Sequence, residues 1–395
     1  MNSEKAMVLV DCAGISECRR SFRRRSCEPN WVATRSVGVE TTMVTIERDA
    51  TSSELRHDWL SDRWVIMAPQ RTARPFDFVR HETSEVDPSD CPFCAGNEHL
   101  TPDAVLSYGP GGEDSDDNWA VRVVPNKFPA VTECYPDPGF GVPSESAATE
   151  KSSINLFRRK DLTGGHEVIV ESPRHLNSIS QLSHAEVCLV FRAYRDRLRY
   201  WLEERGACYA VVFKNVGPEA GASLAHTHSQ LIATSLLPPD VKRAADRMEQ
   251  YMQAEGACLF CDLIQEEIEQ KVRVVEQTPD FIAVCPFASR VPSLLTIYPT
   301  KHMAQFEQLD QDLLDQLAWL THRSVRRIEN CYPNAAYNFV IHTAPGCERH
   351  ENSFHWRMEL FPRLTKLAGF EWGSDCFINP LTPEEAARNL RNAGV

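Results

Sequence analysis

Apolar and polar positions between about residue 160 and residue 360 follow one pattern twice. The run Glu167–His175 (EVIVESPRH) reads as a buried strand ending in a turn. A helix is predicted from about Ser183, with Val187, Val190, Phe191, Tyr194 and Leu198 on one stripe. A strand over Tyr209–Asn215 follows, and then an apolar run that carries His226. The second copy runs in the same order. Its strand is Leu294–His302, and its helix starts at about Asp310 with Leu313, Leu314, Leu317, Leu320 and Ile328 on one face. A strand over Tyr337–His342 and the triplet Phe354–Trp356 complete it. His175 and His226 are 51 positions apart, and His302 and His355 are 53 apart. An internal repeat of that kind predicts two copies of one unit. Strands dominate each copy, with one main helix apiece, which is an α+β pattern with mostly antiparallel sheet. A connecting helix is expected over 239–254, after Pro238 and Pro239. The expected organisation is a first half over 46–238 and a second over 239–395. Residues 1–45 carry Arg19, Arg20, Arg23, Arg24 and Arg25 with little apolar periodicity, and read as a disordered extension. Segments 108–118 and 135–153 read as surface loops.

Composition narrows the function classes. With a hydrophobic fraction of 42%, the chain reads as a soluble globular protein. No run reaches the roughly 18 apolar residues of a membrane span. The formal charge of −13 argues against general nucleic-acid binding, which needs a basic footprint. Small phosphorylated partners stay open, because a local arginine cluster can outweigh the net charge. Of the 14 cysteines, four form two Cys-x-x-Cys pairs and the rest are scattered. There is no secretory pattern near Met7–Val10, so the expectation is cytoplasmic, with thiols and metal sites in place of disulfides.

Each half offers two cysteines from one turn and two histidines from strands. Cys91, Cys94, His175 and His226 make one set; Cys258, Cys261, His302 and His355 make the other. Cys2His2 suits tetrahedral zinc, and four protein ligands leave no open position, so two structural zinc sites are expected.

The chemistry is expected on the first half alone. His226-Thr227-His228-Ser229-Gln230 reads as a strand, which sends His226, His228 and Gln230 to one face. The turn Gly217–Ser223, with Gly221 inside it, can bring backbone N–H groups and the Ser223 hydroxyl close to a phosphate. Aligning His226 with His355 puts Arg357 opposite His228 and Glu359 opposite Gln230. Only the first half keeps the second histidine. His228 is therefore the expected nucleophile, attacking through one nitrogen while a backbone carbonyl holds the proton on the other. Gln230 can donate to a phosphoryl oxygen without adding a competing base.

Several motifs resemble the galactose-1-phosphate uridylyltransferase family, a duplicated member of the histidine-triad superfamily, from about Glu54 onward. They are Arg63–Pro75 (RWVIMAPQRTARP), Cys91–Asn97 (CPFCAGN), Val124–Pro129 (VPNKFP) and Gly221–Gln230 (GASLAHTHSQ) with Asn215. The resemblance implies a duplicated histidine-triad-like fold of half-barrel units. It implies that Arg71 and Arg74 contact phosphates, that Asn126 lies near the nucleoside, and that Asn215, Ser223 and Gln230 hold the α-phosphate. It further implies that Glu371 contacts sugar hydroxyls, and that the chain forms a homodimer. Two features depart from the family's best-known members. Thr227 stands where they have Pro, and the second metal set is Cys2His2 where they use a Glu and three His. The second Cys pair and Ala368–Asn379 resemble the plant-type ADP-glucose phosphorylases.

The leading expectation is ping-pong uridylyl transfer from UDP-glucose to a hexose 1-phosphate through His228. The alternative is ADP-glucose phosphorylase, the same chemistry with an adenine nucleotide and inorganic phosphate. Cleavage of dinucleoside polyphosphates would leave the Glu371 segment without a purpose. A zinc-stabilised nucleotide-binding protein without turnover is the non-enzymatic reading, and the intact His228 and Gln230 argue against it.

Overall fold

The computed structural model describes residues 53–73, 88–131, 162–347 and 350–395. The expectations for 1–45, for 135–153 and for Arg74 lie outside them. Strands β1 (Glu54–Asp58) and β2 (Arg63–Met67) open a small sheet. The main sheet holds β3 (Leu106–Tyr108), β4 (Val121–Pro125), β5 (Gly164–Val170), β6 (Tyr209–Val216) and β7 (His228–Thr234). It continues with β8 (Val274–Gln277), β9 (Phe281–Val284), β10 (Leu295–Pro299), β11 (Tyr337–His342) and β12 (Arg357–Pro362). Strand β13 (Phe377–Asn379) returns to the small sheet and runs parallel to β2. The helices are α1 (His184–Arg199), α2 (Pro239–Glu255), α3 (Leu259–Gln270), α4 (Gln311–Cys331), α5 (Gly369–Ser374) and α6 (Pro383–Asn392).

The order of the main sheet is β3-β4-β5-β7-β6-β11-β12-β10-β9-β8, and its pairings are antiparallel. One continuous sheet runs through both halves. They meet where β6 pairs with β11, with Val212 opposite Ile341 and Asn215 opposite Asn338. The order reads the same outward from that seam: β6 and β11, β7 and β12, β5 and β10, β4 and β9, β3 and β8.

Local signals explain the two main helices. Ser183 caps α1, its hydroxyl accepting from Glu186 N–H while the Glu186 carboxylate accepts from Ser183 N–H. Asp310 caps α4 by accepting from Leu313 N–H. The α1 stripe of Val187, Val190, Phe191, Tyr194 and Leu198 is buried, as are Leu314, Leu317, Leu320 and Ile328 of α4. Each such side chain contributes roughly 1.5–3 kcal/mol by leaving water. The two helices pack on each other over a core that takes side chains from both halves.

Two expectations need correction. The expected connecting helix is α2, but the second half holds more than one main helix: α3 and α6 accompany α4. Helix α3 starts at the second cysteine pair itself, with Cys258 at its N-cap and Cys261 in its first turn. Cys208 and Cys347, read as scattered thiols, form a disulfide. They are 139 residues apart, so no spacing marks them; the β6–β11 pairing brings them together, and Gly346 N–H donates to Cys208 O at 2.9 Å. Among the described residues no helix is long and apolar enough to cross a membrane.

Candidate active site and metal clusters

In each Cys2His2 set the four ligand atoms lie within 4.8 Å of one another. Cys94 Sγ is 3.3 Å from His175 Nδ1 and 3.6 Å from His226 Nδ1, and Cys91 Sγ is 3.5 Å from His226 Nδ1. In the second set the corresponding separations are 3.7–3.8 Å. A tetrahedral ion about 2.3 Å from sulfur and about 2.0 Å from nitrogen requires S···N separations of roughly 3.5 Å. Three of the histidines present Nδ1 to their cluster and turn Nε2 to a carbonyl. His226 donates to Ser172 O at 2.9 Å, His302 to Glu351 O at 2.8 Å and His355 to Pro299 O at 3.1 Å. Those carbonyls fix the tautomer a metal ligand needs. The donor sets therefore fit a tetrahedral divalent metal with no open position.

His226 precedes β7, and His228 is the first residue of that strand. The His228 ring is buried against Phe93, with centroids 5.2 Å apart. Its Nδ1 donates to His226 O at 2.7 Å. This leaves Nε2 with its lone pair and, among the described residues, no hydrogen-bond partner. Burial is the main cause holding His228 below the ordinary histidine pKa; the His226 carbonyl opposes it and the Lys214 charge adds to it. The neutral ring is the form that can attack phosphorus.

Beneath the strand lies a buried polar network that the sequence reading missed. Lys214 Nζ donates to Glu171 Oε2 at 2.5 Å, to Thr227 Oγ1 at 3.0 Å and to His228 O at 2.9 Å. Glu171 also accepts from Tyr194, Ser229 and Thr227 hydroxyls. Burial raises its pKa, and the Lys214 charge with the hydroxyl donors more than offsets this, so the carboxylate stays ionised. The network anchors the backbone that carries His228. It is assembled from segments far apart in sequence: Glu171 follows β5, Lys214 lies in β6 and Thr227 precedes β7.

Gln230 stands two residues along β7. Its Oε1 accepts from His166 Nε2 at 2.8 Å. His166 Nδ1 accepts from Ala130 N–H at 3.1 Å, which places the proton on Nε2. The Gln230 amide is thereby oriented with its NH2 group as the free donor. Asn126 joins the cluster, its Nδ2 3.1 Å from His166 Nε2 and its Oδ1 accepting from Phe128 N–H at 2.8 Å. His166 was missed because no spacing rule ties β5 to β7; their pairing alone brings it near.

Asn215 Oδ1 accepts from Asn338 Nδ2 at 2.7 Å, so its own amide NH2 is also left to donate. Asn338 comes from β11 and donates to Ala220 O at 2.9 Å, tying the second half to the Gly217–Ser223 turn. Gly221 has φ +87° and lies against Asn215: a Cβ there would stand 3.8 Å from Asn215 Nδ2. Ser223 is exposed at the turn. The structure thus gathers His228, Gln230 and Asn126 with His166, and Asn215 with the glycine turn.

Two further expected residues stand on other elements. Arg71 sits in the 3-10 turn Pro69–Ala73 after β2, and no hydrogen bond or ring contact of His228, Gln230 or His166 involves it. Glu371, in the first turn of α5, accepts from Ala368 N–H at 3.0 Å and so serves its own helix start.

Family models match nearly the whole described chain. The galactose-1-phosphate uridyl transferase N-terminal domain matches residues 43–238, and the corresponding C-terminal domain matches 244–391. An ADP-glucose phosphorylase of Arabidopsis thaliana is 31% identical, over 87% of this chain and 94% of its own length. A galactose-1-phosphate uridylyltransferase of Haemophilus influenzae is 28% identical, over 85% and 93%. The crystal structure of the Arabidopsis ADP-glucose phosphorylase with bound ADP-glucose superposes with a TM-score of 0.71, covering 86% of this chain and 98% of the other. With this fold and these matches the chain is a nucleotidyltransferase. It belongs to the galactose-1-phosphate uridylyltransferase family.

Proposed function

We propose that the chain transfers a nucleoside monophosphate from a nucleoside diphosphate hexose through a covalent intermediate on His228. One observation carries this reading: His228 Nδ1 is committed to a carbonyl 2.7 Å away, which leaves Nε2 as the only nucleophilic nitrogen. The Nε2 lone pair attacks the α-phosphorus. The P–N bond forms, the bond to the β-phosphate oxygen breaks, and hexose 1-phosphate leaves with its electron pair. The Nδ1 proton stays on His228, stabilised by the His226 carbonyl. An acceptor phosphate oxygen then attacks the same phosphorus and the P–N bond breaks. Both leaving group and acceptor are phosphates, so no strong general acid is required. The free NH2 groups of Gln230 and Asn215, with Ser223, hold the non-bridging oxygens, and Arg71 and Arg74 meet the phosphates. Asn126 lies toward the nucleoside and Glu371 toward the sugar.

Zinc in the two clusters would supply cross-links rather than chemistry. Cys91, Cys94, His175 and His226 would fix the entry to β7, and so the aim of His228. Cys258, Cys261, His302 and His355 would tie α3 to the entry to β12. Two copies of one histidine-triad-like unit, joined at the β6–β11 seam, account for the symmetric strand order. A homodimer is part of this reading, and light scattering tests it.

The first reading of base and acceptor is UDP-glucose with a hexose 1-phosphate. The second is ADP-glucose with inorganic phosphate, favoured by the 31% identity to a relative named for that activity. The test is intact-mass measurement after separate incubation with UDP-glucose and ADP-glucose, quenched at alkaline pH. A UMP adduct discharged by galactose 1-phosphate supports the first reading. An AMP adduct discharged by phosphate supports the second. No adduct with either overturns nucleophilic catalysis by His228 on these substrates.

A further inference from the structure

The second half has its own counterpart of the catalytic face, and a cavity stands on it. Arg357 opens β12 as His228 opens β7, and each follows a metal-cluster histidine by two residues. Glu359 takes the place of Gln230. His342 pairs with Arg357 across the β11–β12 ladder. Asn215 falls at the same place across from His228, two residues beyond the Phe213–Gln230 pair. The three polar positions of the catalytic face are thus all charged or titratable here. They line a cavity of about 530 Å3 with Trp59, Phe260 and Phe287. Strands β6 and β11 lie between β7 and β12, a separation of roughly 14 Å across the sheet. The cavity is therefore not the His228 site.

The Arg357 side chain is only 8% exposed. Its Nε donates to Glu359 Oε1 at 3.1 Å, while its two Nη groups have no acceptor among the described residues. Arg290 Nη2 donates to the other Glu359 oxygen at 3.2 Å, which holds a second guanidinium beside the first. A largely buried guanidinium whose free donors open to the cavity can take an anion there, and its planar fork matches phosphate oxygens. Trp59 and Phe287, about half exposed at 53% and 47%, add flat apolar surface to the walls. The volume suits a small molecule.

We propose that this cavity is a second ligand site, taking a nucleoside monophosphate. The phosphate sits on the free Nη groups of Arg357, and the base lies against the aromatic wall. The site needs no covalent step and does not depend on the chemistry of His228.

The test is photolabelling of the full-length, metal-loaded protein with 8-azido-AMP, followed by peptide mapping. Labelling of peptides carrying Trp59 or Phe287, suppressed by excess AMP, is the expected result. Arg357→Gln removes the anion fork, and Leu263→Trp fills the cavity from α3. Either should cut that labelling by at least about tenfold. If Arg357→Gln does not fold, Leu263→Trp decides alone. Label at these walls that persists in every folded variant overturns the proposal. So does label confined to peptides carrying Phe93 or His228, or no label at the walls at all.

Discussion

At position 227 both the side chain and the backbone are committed to the interior. Thr227 N–H donates to Leu176 O at 2.6 Å, and its hydroxyl donates to Glu171 at 2.6 Å. Proline, which stands here in the best-known family members, could make neither contact. Thr227→Pro should cost about 2–4 kcal/mol, because it removes the hydrogen bond to the Leu176 carbonyl and one donor from a buried carboxylate. The midpoint of urea unfolding checks this; an unchanged midpoint would mean the network is not stabilising. His166 poses a different residue-scale question, since it acts through Gln230. Replacing it with Ala frees the Gln230 amide to turn over. The rate of nucleotidyl–enzyme formation should then fall roughly tenfold, less than the about hundredfold expected for losing the Gln230 donor itself. Substrate KM should move little. A KM rise with an unchanged rate would instead place His166 in ground-state binding.

Elements were legible where their signals are local. Ser183 and Asp310 mark the starts of α1 and α4 in the sequence, and both caps are present. The Cys-x-x-Cys turns pointed to the clusters because two ligands of each lie within one turn. Helix α3 was missed because its start coincides with such a pair, which read as a turn. His166, Asn338 and the Glu171–Lys214 pair were missed for another reason: each acts across strands that are far apart in sequence. The turn between β6 and β7 shows how an element is held by its other half. Gly217 has φ +84° and ψ 154°, a region suited to glycine, and a Cβ there would lie 2.8 Å from Ala336 Cβ. Gly217→Ala should destabilise the fold by about 1–3 kcal/mol and push the turn carrying Gly221 off Asn215. Thermal melting reads the first effect and the rate of adduct formation the second. A variant with native melting would show that the turn relaxes freely.

On the scale of the molecule, the repeat was legible but the join was not. Periodicity within each half defines its strands. Nothing in a strand's own pattern says that β6 will pair with β11 rather than end at solvent. Joining the halves buries titratable groups from both, and this sets how stability depends on pH. His322 and His342 are held below the ordinary value of 6.5, in each case chiefly by burial. They stay neutral in the fold while the unfolded chain takes up protons below that pH. Their contribution is therefore complete above pH 6.5 and falls as pH drops, by up to about 1.4 kcal/mol per pH unit for each. Glu171 and Glu384 are shifted below 4.5 despite burial, which acts against the shift; Lys214 and Arg56 respectively outweigh it. Their stabilisation is present above 4.5 and is lost as pH falls through their lowered values. Both classes act in the same direction, so the urea midpoint should decline from pH 7 to 5 and decline further below 4.5. His322 donates from Nε2 to Ser180 O at 3.0 Å, a contact a glutamine side chain can attempt without titrating. His322→Gln should flatten the decline between pH 6.5 and 5 by about one proton's worth of slope. If the slope is unchanged in that variant, burial of His322 is not what makes the fold acid-sensitive.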